Sequence, residues 1–375
     1  MSPIVPTNRL GTVQPDPSNP LGPEFLNGIG GAISDFLDGQ ADVVAEIGGT
    51  PMLELARTFS AGGKRLRPAF CYWSHVAAAG HPEDATALLR ASASLDLLHV
   101  SALVHDDLID ASDTRRGIPS AHRQFAAHHR AAGGRGDADD YGTAAAILLG
   151  DLLLVWSLEL FENSGMPAEA TARARTKLAS MRTEVTAGQF LDVSAAHGVT
   201  GSATPAEELA DARRILEYKT ASYSVRRPAQ AGAALGGDDP RLQAALGEFG
   251  SALGAAFQLR DDVLGVYGDE AATGKPTGGD LREGKRTILV LTALDRGDAT
   301  QRRTLEAMLG HQELTDEQVA TARDVIEATG AHGHVEELIA RGTADALAAL
   351  GSAEMTPEGR TALTRLAELS VKRDR

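Results

Sequence analysis

The stretch Ala85–Asp110, ATALLRASASLDLLHVSALVHDDLID, decides how the rest of the 375-residue chain is read. From Ala85 to Leu108 it is apolar around most of a helical circumference, the pattern of a helix enclosed by its neighbours. Yet it carries Asp96, His99 and His105, and it closes on Asp106, Asp107 and Asp110. A buried charge is costly unless it is paired or bound to a metal. The segment is therefore a core helix and a candidate functional site at once.

The surrounding sequence agrees with an all-α fold. β-branched alternation is nearly absent, and aromatic residues make up 4% of the chain. Apolar periodicity predicts helices near 28–46, 67–79, 83–110, 118–130, 142–163, 167–195, 205–234, 240–267 and 286–296, with shorter ones beyond. Glycine and proline clusters at Gly133–Gly136, Gly198–Pro205, Gly236–Pro240 and Gly274–Gly284 punctuate them. Residues 1–27 hold six prolines and little apolar surface, so they are expected to form a flexible extension. No linker divides the remainder, so 28–375 is expected to be a single all-α domain.

Composition narrows the function. Thirty-six Lys and Arg against 51 Asp and Glu give a net charge of −15, which argues against nucleic acid or an anionic membrane as a bulk partner. The single cysteine, Cys71, excludes an internal disulfide and a cysteine-cage metal site. Its aromatic neighbours Phe70, Tyr72 and Trp73 suggest a buried, inert thiol. The N-terminus lacks a basic-then-apolar leader. The most apolar run, Ala144–Phe161, is interrupted by Asp151 and Glu159, so no integral membrane segment is expected. A cytoplasmic protein is the default.

Two acidic clusters carry the chemistry. Asp106 and Asp110 share one helical face at i and i+4, where like charges repel. Either a solvated helix end absorbs that cost, or a divalent cation sits between the carboxylates. Mg²⁺ takes one or two carboxylates, several waters and the oxygens of a substrate phosphate. A second pair, Asp261-Asp262, follows Gln258 at the end of another apolar helical run. Two such helix ends could face each other across a bundle cavity, with metals clamping a polyphosphate. Cations are placed to match: Lys64, Arg65 and Arg67 on a Gly62-Gly63 turn entering a helix, Arg115-Arg116 after the first cluster, then Lys219, Lys275, Arg282, Lys285 and Arg286. Free N–H groups at a helix start favour bound phosphate.

In order, GGKRLRP, HDDLID followed by TRRG, AGQFLD, EYKT, FQLRDD and GKPTGGDLREGKRT resemble the motifs of the trans-isoprenyl diphosphate synthases, over roughly 30–300. The resemblance implies an isoprenoid synthase-type helical bundle around a central active-site cavity, a homodimer and Mg²⁺ dependence. It implies that an allylic diphosphate is ionised, isopentenyl diphosphate adds to the carbocation and a proton is lost. Carried onto this chain, Asp106, Asp110 and Asp261 would hold Mg²⁺, with Asp107 and Asp262 in support. Arg115, Lys219, Thr220, Gln258, Lys275 and Lys285 would meet the allylic diphosphate. Lys64, Arg67, His99 and Arg116 would hold isopentenyl diphosphate, and Gln189 and Asp192 match a family position near the metals. One departure stands out: Gly265 occupies the place where much of the family has a third aspartate.

In the family, residues one turn before the first cluster floor the cavity for the growing tail. Here they are Ser101 and Ala102, about 6–8 Å deeper at 1.5 Å per residue. Small side chains there leave the tail room, so geranylgeranyl diphosphate is the expected product, with farnesyl or longer products as alternatives. The same two residues could instead simply allow close helix packing. A class I terpene cyclase would normally carry an Asn/Ser/Glu-type second metal motif, and a non-catalytic partner subunit would be expected to lack site residues. A di-iron bundle needs Glu-x-x-His pairs that the eleven histidines do not form. Gly279–Lys285 imitates a P-loop, but Arg286 stands where Ser or Thr should be.

Overall fold

The computed structural model describes residues 14–202, 204–268, 278–311 and 313–372. Among them the chain is helical nearly throughout, and the one extended pairing joins Thr114–Arg115 to Ile118–Pro119 in an antiparallel ladder. The helices form two compact units, interleaved along the sequence. One runs through Arg173 and takes in Gly232–Gly237 and Thr356–Ala362; the other holds Ala174–Ala231, Asp238–Met355 and the residues from Leu363 onward.

In the first unit, α1 (Pro23–Gly39), α2 (Ala41–Glu46), α3 (Thr50–Ser60) and α4 (Leu66–Ala79) precede α5 (Thr86–Ile109), the helix singled out above. α5 packs against α1, α3, α4 and α7 (Ala138–Glu162), with α6 (Ala121–Ala131) beside α7. Leu88, Leu95, Leu97, Val100 and Val104 of α5 are buried, each worth roughly 1.5–3 kcal/mol when withdrawn from water. Segment 28–46 is two helices, broken at Gln40, and α3 was not anticipated at all. α7 begins four residues earlier than its apolar pattern suggests because the Asp137 carboxylate accepts the Asp139 and Asp140 amides and caps it.

α5 and α7 each have the length and hydropathy of a membrane span, but they pack against one another and the apolar window of α5 is mostly buried in the protein. Residues 14–27, which the sequence places in an extension, form turns and the start of α1, and the Trp73 indole donates to the Pro20 carbonyl at 3.0 Å. The rest of that extension lies outside the described residues. Cys71 is buried and its thiol is pushed up to about 12 by burial, so it is inert as expected.

In the second unit the helix expected over 205–234 is three elements: α9 (Pro205–Ile215), a π-helical segment Leu216–Arg226, and α10 (Arg227–Gly236), whose last residues belong to the first unit. α8 (Ala168–Ala196, from Ala174 on) and α11 (Pro240–Tyr267) belong to this unit too. Glycines let backbones approach the π segment closely. A Cβ on Gly254 of α11 would lie 2.4 Å from the Ala221 Cα, one on Gly250 2.2 Å from the Arg226 Cα, and one on Gly188 of α8 2.6 Å from the Lys219 nitrogen. π segments lie disproportionately at functional sites, and this one carries Lys219 and Thr220.

Two glycine substitutions should therefore act in opposite directions. Gly254→Ala should cost about 1–3 kcal/mol, because the clash is with backbone. Gly30→Ala, in α1 with open space around its missing Cβ, should stabilise by about 0.5–1 kcal/mol. Urea melts of both variants check the sign of each change.

Candidate active site

The charges buried in α5 are resolved by arginines. Asp96 forms a buried ion pair with Arg65, whose guanidinium also donates to the Ser60 carbonyl at 2.6 Å. Burial, reinforced by Arg116, pushes the Arg65 guanidinium down to about 10. Asp107, 1% exposed, receives the Arg115 Nε at 2.8 Å and its Nη2 as well, while Asp106 lies 3.6 Å from that Nη2. Burial raises the Asp107 carboxyl against the pull of Arg115. Asp107 is thus the anchor of Arg115, and Asp106 and Asp110 are the carboxylates left towards solvent at the helix end. Of the three cations that the sequence places on the Gly62-Gly63 turn, Arg65 is taken up by a buried partner seen only in three dimensions.

Four basic residues from separated stretches meet around His99. Burial above all, then the charges of Arg67, Arg116, Arg115 and Arg65, hold its imidazole well below the usual histidine range, so it is neutral at pH 7. The Arg116 guanidinium lies against Gly63, where a Cβ would be 3.2 Å away, so the GGKRLRP turn and the TRRG loop come together. Arg65 and Arg116 both take left-handed backbone conformations, φ 50° and 53°, at a cost of order 1–2 kcal/mol each. Such strain persists where the surroundings over-determine it, often at functional sites. Lys64 and Arg116 are exposed and Arg67 half-buried.

Ser101 and Ala102 part company. The Ser101 hydroxyl, 3% exposed, donates to the Gly150 carbonyl of α7 at 2.7 Å. His105 lies against the same glycine, where a Cβ would be 2.1 Å from its Nε2, and contacts the Ile147 carbonyl at 3.2 Å. Ser101 therefore belongs to the α5–α7 seam, whereas Ala102 is half-buried.

In the second unit, Lys219 on the π segment pairs with Asp192 of α8 at 2.5 Å. Thr220 donates to the Gln258 Oε1 at 2.8 Å, and the Gln258 amide donates to Asp262 at 2.8 Å. Burial pushes the Asp262 carboxyl up to about 7, opposed by the Gln258 hydrogen bond and reinforced by Asp280 and Asp261. Asp262 is the buried anchor of this chain, as Asp107 is of Arg115, and Asp261 is half-buried. Glu184, unassigned from sequence, accepts from Ser222 and Arg227 and fixes the far end of the π segment to α8.

Lys285 lies 2.6 Å from Glu283 and 3.9 Å from Asp280. Arg282 donates to the Leu314 carbonyl and Arg286 pairs with Glu208 at 2.6 Å, so both serve the fold. Lys275 lies outside the described residues, and Gln189 is half-buried on α8.

Among the described residues, no three acidic, histidine or cysteine side chains form a ready metal cage. Within each unit, the carboxylates at the helix end are hard oxygen donors of the kind that fit a cation completing its shell with water and substrate phosphate, as Mg²⁺ does.

The sequence profile of the Polyprenyl synthetase family matches residues 52–326. The short chain isoprenyl diphosphate synthase of Methanothermobacter thermautotrophicus is 32% identical over 72% of this chain and 75% of its own length. The geranylgeranyl diphosphate synthase of Sulfolobus acidocaldarius is 29% identical over 81% of this chain and 83% of its own. The crystal structure of geranylgeranyl pyrophosphate synthase from Corynebacterium glutamicum, complexed with isoprenyl diphosphate and magnesium, superposes with a TM-score of 0.87 at 38% identity, covering 96% of this chain and all of that one. The chain belongs to the Polyprenyl synthetase family and has the all-α isoprenoid synthase fold: it is a chain-elongating trans-prenyltransferase.

Removing one member of a buried ion pair leaves the other uncompensated. Asp96→Asn should therefore lower unfolding free energy by about 3–5 kcal/mol, measured by urea titration.

Proposed function

We propose that the protein condenses isopentenyl diphosphate with an allylic diphosphate to give geranylgeranyl diphosphate, with Mg²⁺ as cofactor. The observation that supports this most directly is the pairing of an anchored cation with a nearby solvent-facing carboxylate: Arg115 beside Asp106, fixed by buried Asp107. Asp106 and Asp110 in one unit and Asp261 in the other would hold Mg²⁺, which would supply positive charge against the leaving diphosphate.

The protein's own groups do the rest. Arg115, held by Asp107, and Lys219, held by Asp192, are preorganised to stabilise the charge that develops as the carbon–oxygen bond breaks. Lys285 and Lys275 add to that field. Thr220 and Gln258, locked to each other and to Asp262, present oriented dipoles beside the π segment. Lys64, Arg67 and Arg116 hold isopentenyl diphosphate, with neutral His99 among them.

In this reading residues 28–375 act as one prenyltransferase domain behind an N-terminal extension, in a soluble, cytoplasmic enzyme. It works as a homodimer, because α7 leaves Ile147, Leu148 and Val155 exposed on the face of the helix away from its buried side. Product length is assigned to Ala102 rather than Ser101, since the Ser101 hydroxyl is engaged with α7.

Incubation with Mg²⁺, isopentenyl diphosphate and farnesyl diphosphate, followed by mass spectrometry of dephosphorylated products, should give the 20-carbon alcohol. Hydrocarbon release without chain extension would overturn the proposal. Asp106→Ala should reduce turnover by about 10²–10³-fold, as loss of a principal charge-stabilising group does, with far-ultraviolet circular dichroism unchanged. Ala102→Phe should shorten the product, whereas Ser101→Phe should chiefly lower the melting temperature by forcing α5 from α7; an unchanged product in the first variant would place the cavity floor elsewhere.

A further inference from the structure

The end of α11 that carries Asp261 and Asp262 is gripped from outside the helix. Arg260, the residue just before them, donates twice to Glu336: Nη1 to Oε1 at 2.7 Å and Nη2 to Oε2 at 2.8 Å. Such a fork fixes direction as well as distance. Glu336 belongs to the helix Ala331–Leu350, which packs against α11. Seven residues after Arg260, on the same helical face, the Tyr267 ring stacks on the His332 imidazole, with centroids 4.4 Å apart and planes 18° apart. Nearer the start of α11, a Cβ on Gly342 would lie 3.0 Å from the Ala252 carbonyl oxygen. As the position on α11 rises through 252, 260 and 267, the partner falls through 342, 336 and 332, so the two helices run antiparallel and these contacts are successive rungs between them.

The last turn of α11 is closed by the helix Asp316–Ala328. The Arg323 Nε and Nη2 donate to the Val266 carbonyl at 2.9 and 2.6 Å, and the guanidinium lies 5.5 Å from the centroid of the Tyr267 ring. That carbonyl is one of the four that an α-helix leaves without a partner of its own at its C-terminal end. Glu327 of the same helix lies 2.6 Å from the His332 Nδ1. All of these residues lie in the second unit, and the two helices that grip α11 follow the 30–300 stretch that carries the motifs. Successive residues on an α-helix turn by about 100°, so Arg260, Asp261 and Asp262 point in three directions. Asp262 is buried and tied to Gln258, Arg260 is tied to Glu336, and Asp261 projects between them. With both neighbours held, the helix end cannot roll about its axis, and the Asp261 carboxylate keeps one bearing.

We propose that Glu336 is a positioning residue for the second acidic cluster, acting through Arg260: the fork sets the bearing of the end of α11 and with it that of Asp261. This rests on the reading in which Asp261 holds Mg²⁺ with a diphosphate. Cohesion of the two helices does not need the fork, because the Ala331–Leu350 helix already buries Val335, Ile339 and Ala346. An ion pair whose members are 20% and 38% exposed adds little to that burial, since solvent screens it. What the two parallel hydrogen bonds contribute is orientation, one residue away from a carboxylate whose direction decides what it can hold.

The test uses the full-length protein and calorimetric titration of inorganic pyrophosphate with and without Mg²⁺, alongside the melting temperature of the ligand-free protein. Glu336→Gln, which keeps the shape and removes the charge, should weaken Mg²⁺-dependent pyrophosphate binding by about tenfold, with the melting temperature lowered by no more than about 4 °C. Arg260→Gln should weaken it equally. The double variant Arg260→Gln/Glu336→Gln should bind within about twofold of either single variant, because both substitutions remove the same interaction. Arg260→Lys, which keeps the charge but not the fork, should weaken binding by about threefold or more, and it carries the test if Glu336→Gln folds poorly. Losses that add in the double variant, wild-type affinity in Arg260→Lys, or a lower melting temperature with the Mg²⁺-dependent affinity intact would each make the fork a packing contact and overturn the inference. A wild-type protein that binds Mg²⁺–pyrophosphate but does not extend farnesyl diphosphate would defeat the proposed function alone.

Discussion

An aspartate carried into the packed side of a helix must be given a donor, and three aspartates of α5 and α11 show how. Asp96 receives Arg65, Asp107 receives Arg115 and Asp262 receives the Gln258 amide. Each buried acid stabilises a polar group that would otherwise sample many rotamers, and loss of that freedom is what preorganisation requires. Of the neighbouring acids, Asp106 and Asp261 are half-buried and Asp110 is exposed. Within each adjacent Asp-Asp pair the first residue is the less buried and the second is an anchor, a division of labour set by which side of the helix meets the core.

The second constraint is distance between backbones. Gly188, Gly250 and Gly254 allow α8 and α11 to close on the π segment, and Gly150 of α7 makes room for the His105 ring of α5. Interiors are packed at crystal-like density, so a single added methyl group against backbone must displace a whole element. Lys219 and Thr220 sit on a segment held in this way. Their positions therefore depend on residues that carry no functional group, and the strained Arg65 and Arg116 conformations show the same rigidity in the first unit.

By itself the sequence determined the helical class, the enclosed character of α5, the two acidic helix ends and the family, because apolar periodicity and the order of short motifs are properties of the linear chain. It also carried the grouping of Arg116 with the GGKRLRP turn, through the resemblance rather than through spacing. Tertiary structure alone decided which acids are anchors, that Asp96 belongs to Arg65, that Ser101 is held by α7, and that the 205–234 helix becomes a π segment at Lys219. The reason is physical: Asp96 and Ser101 find partners 31 and 49 positions away, and helical periodicity records which side faces inward but not what it meets there.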